Sequence, residues 1–345
     1  MRSLALVESP AQLLNVVEWA SQAGEPPDDL TITVLAPTNE VTRRQLRAMS
    51  ALAREDGFKV LWHEPRLGGA ATARTVRSLA GELSGVERLV VGDPFSGVLQ
   101  VVMSISRAPE VVVVDDGTAT LEFARQWRAG EHLSRWHSVA TPGHRRLIST
   151  FARDQISGSV RRRISPEGGC RLRLFTSLDV DLPKVDVGRN TFGWVRSRFP
   201  VPEIKLGSDL IGTSLVETGV VDADAYLGGV ASLVEQHAVD RYFAHRKESE
   251  EKLARIEGLG VAVVRPDLPL EIAARLGVLA RRLISFPSTV VHTLPLVLVD
   301  TPAELLVCDI DEGWYTDRAA PGSGRFLGQV SASARHRFGL AAVAC

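Results

Sequence analysis

Two adjacent carboxylates stand at the end of a run of four valines, in Val111-Val112-Val113-Val114-Asp115-Asp116-Gly117-Thr118. A strand that ends in an acid is a rigid support for a general base, and neighbouring carboxylates raise one another's pKa toward neutrality. Gly117 permits a tight turn, and Thr118 could cap a helix over Ala119–Trp127. The alternative is that one aspartate is only that helix's cap, which leaves the second unexplained. A different chemistry is written at Tyr242-Phe243-Ala244-His245-Arg246-Lys247-Glu248, where an apolar run ends in a histidine and two cations. Such a histidine can donate to a phosphate or protonate a leaving group. The cations and the helical stretch after them, KESEEKLARIE, read equally as a solvated face. Hydroxyls follow apolar runs at Ile211-Gly212-Thr213-Ser214 and at Ile284-Ser285-Phe286-Pro287-Ser288-Thr289-Val290. The second opens a helix, whose unpaired N–H groups and dipole favour an anion, although an ordinary Ser/Thr cap has the same spelling. Pro269-Leu270-Glu271 reads as a helix start with an acidic first turn.

These residues need elements to hold them. Short Val/Ile/Leu runs alternate with stretches of helical period: strands at Leu4–Val7, Thr31–Ala36, Phe58–Trp62, Arg88–Val91 and Val111–Val114, and helices at Ala11–Ala20, Val41–Glu55, Thr72–Leu83 and Val98–Ser106. Continuous apolar strands alternating with helices imply a parallel sheet covered on both faces. This run over roughly residues 1–120 belongs to a first domain of 1–190, with Val111–Val114 as the run's last strand. Ser177–Glu203, rich in Pro, Gly and Asp, reads as a linker. A second alternation occupies 205–345: strands at Asp209–Ile211, Arg241–Ala244, Val261–Val264, Leu283–Ser285 and Glu304–Cys308, and helices at Asp222–Gln236, Lys247–Glu257, Glu271–Leu276 and Val290–Leu298. The last helix could pack back on the first domain. The expected fold class is α/β, with two Rossmann-like domains facing a central cleft. In such sheets ligands lie outside the carboxyl ends of the strands, where each candidate residue falls.

Composition narrows the partners. At 345 residues and a formal net charge of -1, bulk electrostatics argues against a nucleic-acid partner. The segment from Arg125 to Arg173 departs from this balance, with eleven arginines, three acidic residues, Trp127, Trp136 and Phe151. It could hold an anionic glycan, lie against anionic lipid, or be a solvated basic surface. Cys170, Cys308 and Cys345 form neither a disulfide framework nor a CxxC metal signature, so a reducing, cytoplasmic setting is expected. The apolar run in MRSLALVESP is too short for a secretory signal, and no stretch approaches the roughly 20 apolar residues of a membrane span.

In their order the motifs resemble the bacterial sialyltransferases of the GT-B fold, particularly glycosyltransferase family 52 and its polysialyltransferase relatives. That family opens with a strand and a Ser-Pro-x-Gln-type turn, matched by Ser9-Pro10-Ala11-Gln12-Leu13-Leu14-Asn15. Its acidic pair and glycine are matched by Asp115-Asp116-Gly117, and its later Ser/Thr pair by Ser288-Thr289. Glu271 stands where the family contacts the nucleotide. The family's His-Pro is His245-Arg246 here, a departure at the turn that holds the histidine.

The resemblance implies an inverting, metal-independent glycosyltransferase of polysaccharide biosynthesis. It would move sialic acid or a related nonulosonic acid from a CMP-sugar to a glycan or glycolipid hydroxyl, with no cofactor. Asp116 by preference, or Asp115, would be the base. His245 would stabilise or protonate the departing phosphate. Ser288, Thr289, Gly212, Thr213 and Ser214 would line the donor pocket, and Glu271 would bind cytidine. Ser9, Pro10, Gln12 and Gly117 would shape the acceptor side. The enzyme would be cytoplasmic, with peripheral contact at the inner membrane face through 125–173 as an option. Alternatives are another CMP-activated acid sugar (CMP-Kdn or CMP-Kdo), a nucleotide-sugar epimerase on the same frame, or a non-catalytic nucleotide-sugar-binding relative.

Overall fold

The computed structural model describes residues 1–133 and 145–345, with their side chains except those of 145–154 and 166. The chain divides into two compact units, Met1–Asn190 and Thr191–Cys345.

In the first unit the strands are β1 (Ser3–Val7), β2 (Leu30–Leu35), β3 (Lys59–His63), β4 (Arg88–Val91), β5 (Glu110–Val114), β6 (Arg171–Thr176) and β7 (Asp186–Arg189). Between them run α1 (Pro10–Ala23), α2 (Glu40–Glu55), α3 (Gly69–Glu82), α4 (Gly97–Ile105), α5 (Thr118–Ala129) and α6 (Arg145–Ile164). Among the described residues they form one seven-stranded, all-parallel sheet in the order β3-β2-β1-β4-β5-β6-β7. Order reverses between β1 and β4, the topological switch point of a Rossmann-like sheet.

Alternation along each strand divides its burial between two faces. Leu4, Leu6, Val111 and Val113 join Leu99, Met103, Phe123 and Trp127 in one core. Their neighbours Ala5, Val7, Val112 and Val114 are equally enclosed. The four valines therefore have no solvent face, and each stabilises the sheet by roughly 1.5–3 kcal/mol. They do not form the sheet's last strand, because β6 and β7 continue it beyond β5. The stretch read as a linker, Ser177–Glu203, is ordered structure: it contains β7, paired in parallel with β6, and α7 (Gly193–Arg198). A four-residue edge strand and a six-residue helix are too short for periodicity to detect.

The second unit comprises α7, β8 (Glu203–Ile211), α8 (Ala223–His237), β9 (Val239–Phe243), α9 (Glu250–Glu257), β10 (Ala262–Val264), α10 (Leu270–Ala273), β11 (Val278–Ser285), α11 (Val290–Val297), β12 (Glu304–Cys308), α12 (Ser323–Phe338) and β13 (Ala341–Val343). Its six-stranded parallel sheet, again among the described residues, has the order β10-β9-β8-β11-β12-β13, with the reversal between β8 and β11. The core gathers Leu210, Tyr226, Tyr242, Ile256, Ile284 and Phe286. The closing helix α12 packs on α11, where His292 Nε2 meets the Val330 carbonyl at 3.1 Å.

The cysteine expectation is corrected. Cys308, at the end of β12, is bonded to Cys345 with Cα atoms 6.5 Å apart, within the span a disulfide bridges. Their 37-residue separation hid a pair that the β12–β13 pairing brings together. Cys170 is free and buried. No described helix is long and apolar enough to cross a membrane.

Candidate functional site

The two aspartates of the opening motif have different environments. Asp115 is buried and accepts five hydrogen bonds. Oδ1 takes the Thr120 hydroxyl at 2.6 Å and the Gly117 N–H at 3.1 Å. Oδ2 takes the Thr176 hydroxyl at 2.9 Å, and the Ser177 hydroxyl and N–H at 3.0 and 3.2 Å. Burial raises its pKa, against the pull of these donors. With both oxygens engaged, Asp115 is a brace joining the ends of β5 and β6, and it is withdrawn as an alternative base. The largest cause of the rise at Asp115 is burial.

Asp116 is half-buried at the open end of β5. Its N–H donates to Thr120 Oγ1 at 3.1 Å, and Oδ1 receives the Ser9 hydroxyl at 3.4 Å. Neither aspartate caps α5. Gly117 occupies the cap position with φ 69° and ψ -132°, a backbone conformation open to glycine and strained for other residues. Thr118, read as a cap, is the exposed first residue of α5, and Thr120 does the local bonding instead.

The Ser-Pro-x-Gln turn lies beside this pair. Ser9 caps α1 by accepting the Gln12 N–H at 3.2 Å, Pro10 fills the first helical turn, and Gln12 Oε1 accepts the Glu8 N–H at 2.7 Å. One turn on, Asn15 Nδ2 donates to the Asp115 carbonyl at 2.9 Å, and Asn190 Nδ2 donates to Asn15 Oδ1 at 2.8 Å. The structure thus brings Ser9, Gln12, Asp115, Asp116 and Gly117 to the carboxyl edge of one sheet. Sequence reasoning did not assign Thr120, Thr176, Ser177, Asn15 or Asn190. Thr176-Ser177 had a usable signal, hydroxyls directly after the largely apolar Leu172-Arg173-Leu174-Phe175, as in the motifs of the second half.

In the second unit three neighbouring strand ends carry the other candidates. His245 follows β9, Gly212-Thr213-Ser214 follows β8, and Ser288-Thr289 follows β11, with Ile211 paired both to Phe243 and to Ser285. His245 is neutral: burial, then Arg246, Lys247 and Lys252, lower its pKa to about 3. Its Nδ1 accepts the Lys247 N–H at 3.3 Å, so the ring proton resides on Nε2. With a pKa this low the imidazole of the unliganded chain is neutral near pH 7 and acts there as a hydrogen-bond donor rather than as an imidazolium acid. The Nε2–H is still available as a hydrogen-bond donor.

A buried ion pair supports the histidine turn. Glu248 and Lys252, whose side chains are 0% and 4% exposed, meet at 2.7 Å. Glu248 also accepts the His245 N–H at 2.5 Å and the Tyr242 hydroxyl at 2.6 Å, and Tyr242 meets the Tyr226 hydroxyl at 2.8 Å. Lys252 Nζ donates to the Thr213 carbonyl at 2.9 Å and lies 4.0 Å from the centre of the Tyr226 ring. The pair therefore ties the β9 turn to the β8 turn. Gly212 leaves room for it, because a Cβ there would stand 2.4 Å from Glu248 Oε2 and 2.5 Å from the Tyr242 hydroxyl. KESEEKLARIE is thus not a solvated face throughout. Its helix begins at Glu250, capped by Ser249, and the earlier i,i+4 pair points inward.

At the end of β11, Thr289 holds the cap position of α11 without a side-chain cap bond. Ser288 Oγ is buried with no hydrogen-bond partner among the described residues. The N–H groups of Ser288, Thr289 and Val290 likewise meet no acceptor among the described residues. An ordinary Ser/Thr cap is therefore not what this motif forms; it presents unpaired donors. Glu271, in α10, accepts the Thr293 hydroxyl at 2.8 Å, one turn along α11 from Thr289. Among the described residues no three His, Cys, Asp or Glu side chains converge as a metal-ligand set.

The basic segment is largely committed to structure where it is described. Arg125 pairs with Glu122 and Glu131, Arg161 stacks 3.8 Å from the centre of the Trp127 ring, Arg163 bonds the Ala108 carbonyl, and Arg173 pairs with Glu110 and Asp186. Trp136, Arg135, and the side chains of Arg145, Arg146, Phe151 and Arg153, on which the membrane or glycan expectation also rests, lie outside the described residues.

No family model matches the sequence, and no curated protein matches it. Solved structures of similar shape include the 2,6-sialyltransferase of Photobacterium sp. JT-ISH-224 with CMP and lactose (TM-score 0.48, 10% identity, 99% of this chain and 78% of that one). They also include Anabaena HepE with UDP and glucose (0.49, 12%, 98% and 95%) and Acinetobacter baumannii MurG (0.42, 11%, 100% and 86%). With TM-scores below 0.5, these likenesses carry none of the argument. The two parallel sheets themselves define the class: an α/β chain of two Rossmann-like domains.

Proposed function

We propose that the chain is a glycosyltransferase of the GT-B type, using a nucleotide-activated sugar, with a CMP-linked nonulosonic acid as its donor. The observation that carries this reading is the end of β11, where the buried Ser288 hydroxyl and the N–H groups at the start of α11 have no partner among the described residues. Such donors suit a phosphate, and the positive end of the helix dipole adds to them. The neutral His245 Nε2–H and the Thr213 and Ser214 hydroxyls, on the two strands next along the sheet, supply further donors. Glu271 is assigned to the nucleoside. The choice of CMP rests on the motif resemblance to family 52.

In the transfer step, the acceptor hydroxyl oxygen forms a bond to the anomeric carbon as the bond from that carbon to the phosphate oxygen breaks. The electron pair departs on the phosphate, where the donors of the second unit stabilise it. The acceptor proton passes to Asp116, which Ser9 and Thr120 orient. Attack opposite the leaving group inverts the anomeric centre.

Nucleotide release and product formation would be measured with CMP-sialic acid, CMP-Kdn, CMP-Kdo and a UDP-sugar panel, for the wild type and Asp116→Asn. CMP release abolished by Asp116→Asn supports the reading. Full activity in that variant overturns the base assignment, release of UDP alone overturns the donor assignment, and release from no donor favours a binding-only protein.

A further inference from the structure

The first unit's switch point holds a carboxylate that neither the brace nor the base requires. Leu6 of β1 is paired with Val91 of β4, and two residues further along each chain come Glu8 and Asp93. Both are buried, Glu8 at 8% and Asp93 at 1% exposure. Asp93 Oδ1 accepts the Phe95 N–H at 2.9 Å and so shapes its own turn. Glu8 Oε1 receives Arg66 Nη2 at 2.7 Å and the Ser96 hydroxyl at 3.0 Å. Arg66 is itself held from the next strand, donating Nη1 to the carbonyls of Leu35 and Ala36 at 3.1 and 3.0 Å.

Glu8 Oε2 has no hydrogen-bond partner among the described residues, yet it is not sealed from solvent. The backbone beneath it is fixed by Gln12, and the next residue, Ser9, bonds to Asp116. Burial, helped by the neighbouring Asp93 carboxylate, pushes the Glu8 carboxyl above its usual value, against the attraction of Arg66. A side chain nine-tenths enclosed, with one oxygen saturated and the other open, is an acceptor prepared for a donor from outside the chain.

We infer that Glu8, steadied by Arg66 and Ser96, is a saccharide-binding subsite whose open oxygen accepts a sugar hydroxyl beside Asp116. A neutral hydroxyl suits it better than an ammonium group, because Arg66, 2.7 Å from the same carboxylate, would repel a second cation beside it. Arg66 also makes the cluster a poor cation site. The subsite takes its place in the reaction, as the acceptor's anchor, from the transferase reading; saccharide binding itself does not depend on that reading.

The test is calorimetric titration of the full chain with lactose, N-acetyllactosamine, maltose and methyl β-galactoside, followed by the monodeoxy derivatives of the tightest binder. At least one saccharide is expected to bind the wild type in the millimolar range. Glu8→Gln should weaken it about tenfold or more, since the amide can bond Arg66 through its oxygen only by presenting N–H groups outward. The exposed Asp28→Asn should bind as the wild type does. One monodeoxy derivative should lose a similar factor on the unaltered protein, which tests the contact even if Glu8→Gln folds poorly. Binding of no saccharide, undiminished affinity in a folded Glu8→Gln, or equal binding of every monodeoxy derivative would each overturn the inference. Saccharide binding without transfer from any nucleotide sugar would remove the transferase reading and leave this site standing. Transfer with full acceptor affinity in Glu8→Gln would do the reverse.

Discussion

The Thr120 hydroxyl donates to Asp115 Oδ1 at 2.6 Å and, through the same oxygen, accepts the N–H of Asp116 at 3.1 Å. One side chain thereby binds the buried brace and holds the backbone of the candidate base. The two carboxylates of the motif consequently respond differently to substitution.

Asp116→Asn is expected to lower transfer by about 10²–10⁴-fold, the usual contribution of a positioned base, with little change in unfolding midpoint. Asp115→Asn is expected to lose about 2–4 kcal/mol of stability, because an amide nitrogen would replace an acceptor amid five donors. Urea unfolding and nucleotide-release kinetics on both variants separate the roles.

Ser288→Ala removes a hydroxyl that makes no bond within the described chain. It should leave stability within about 0.5 kcal/mol of the wild type while weakening CMP binding roughly 3- to 12-fold. Thr289→Ala should likewise be near-neutral for folding, since no cap bond is lost. Thermal melts with and without CMP give both readouts.

Lys252→Met would leave Glu248 buried without its countercharge, at a cost of about 3–5 kcal/mol. The double variant Glu248→Leu/Lys252→Met removes both charges and should recover part of that loss. Because the pair ties the Thr213 turn to the His245 turn, CMP affinity should fall even where the double variant folds well. A double-mutant cycle on stability and on CMP affinity checks both statements.

His245 gives the stability a pH dependence of known sign. Its folded pKa of about 3 lies below the ordinary 6.5, so the unfolded chain takes up the proton more readily between those values. The associated stability is present above about pH 6.5 and declines as pH falls toward 3. The buried carboxyls Asp115, Glu8 and Glu248 act oppositely: their raised pKa values favour the folded state at low pH, an advantage lost as pH rises through them. Comparing wild type with His245→Asn isolates the histidine. Their stability difference should shift against the wild type by about 1–2 kcal/mol between pH 7 and pH 5. A difference constant over that range would show that His245 is not held neutral.

The fold class was legible in the sequence because buried parallel strands and amphipathic helices both carry strong periodic signals. Val111–Val114, Arg88–Val91 and Glu304–Cys308 stand where their patterns place them, to within a residue. β7, α7 and the disulfide were not legible. Two of these elements are too short to show a period, and the third depends on strands meeting across 37 residues.

The candidate site divides along the same line. Sequence alone identified which strands end in chemically capable side chains, because a strand end followed by Asp-Asp-Gly, His, Gly-Thr-Ser or Ser-Thr is a local fact. Tertiary structure alone decided what each group is available to do. Asp115 became a brace because Thr176 and Ser177, some sixty residues away, spend their donors on it. His245 became a neutral donor because burial and three cations disfavour its charge. Glu248 and Lys252, spelled as surface charges, became the tie between two turns. Protonation state and hydrogen-bond saturation depend on which groups approach through space, and residue order does not record that.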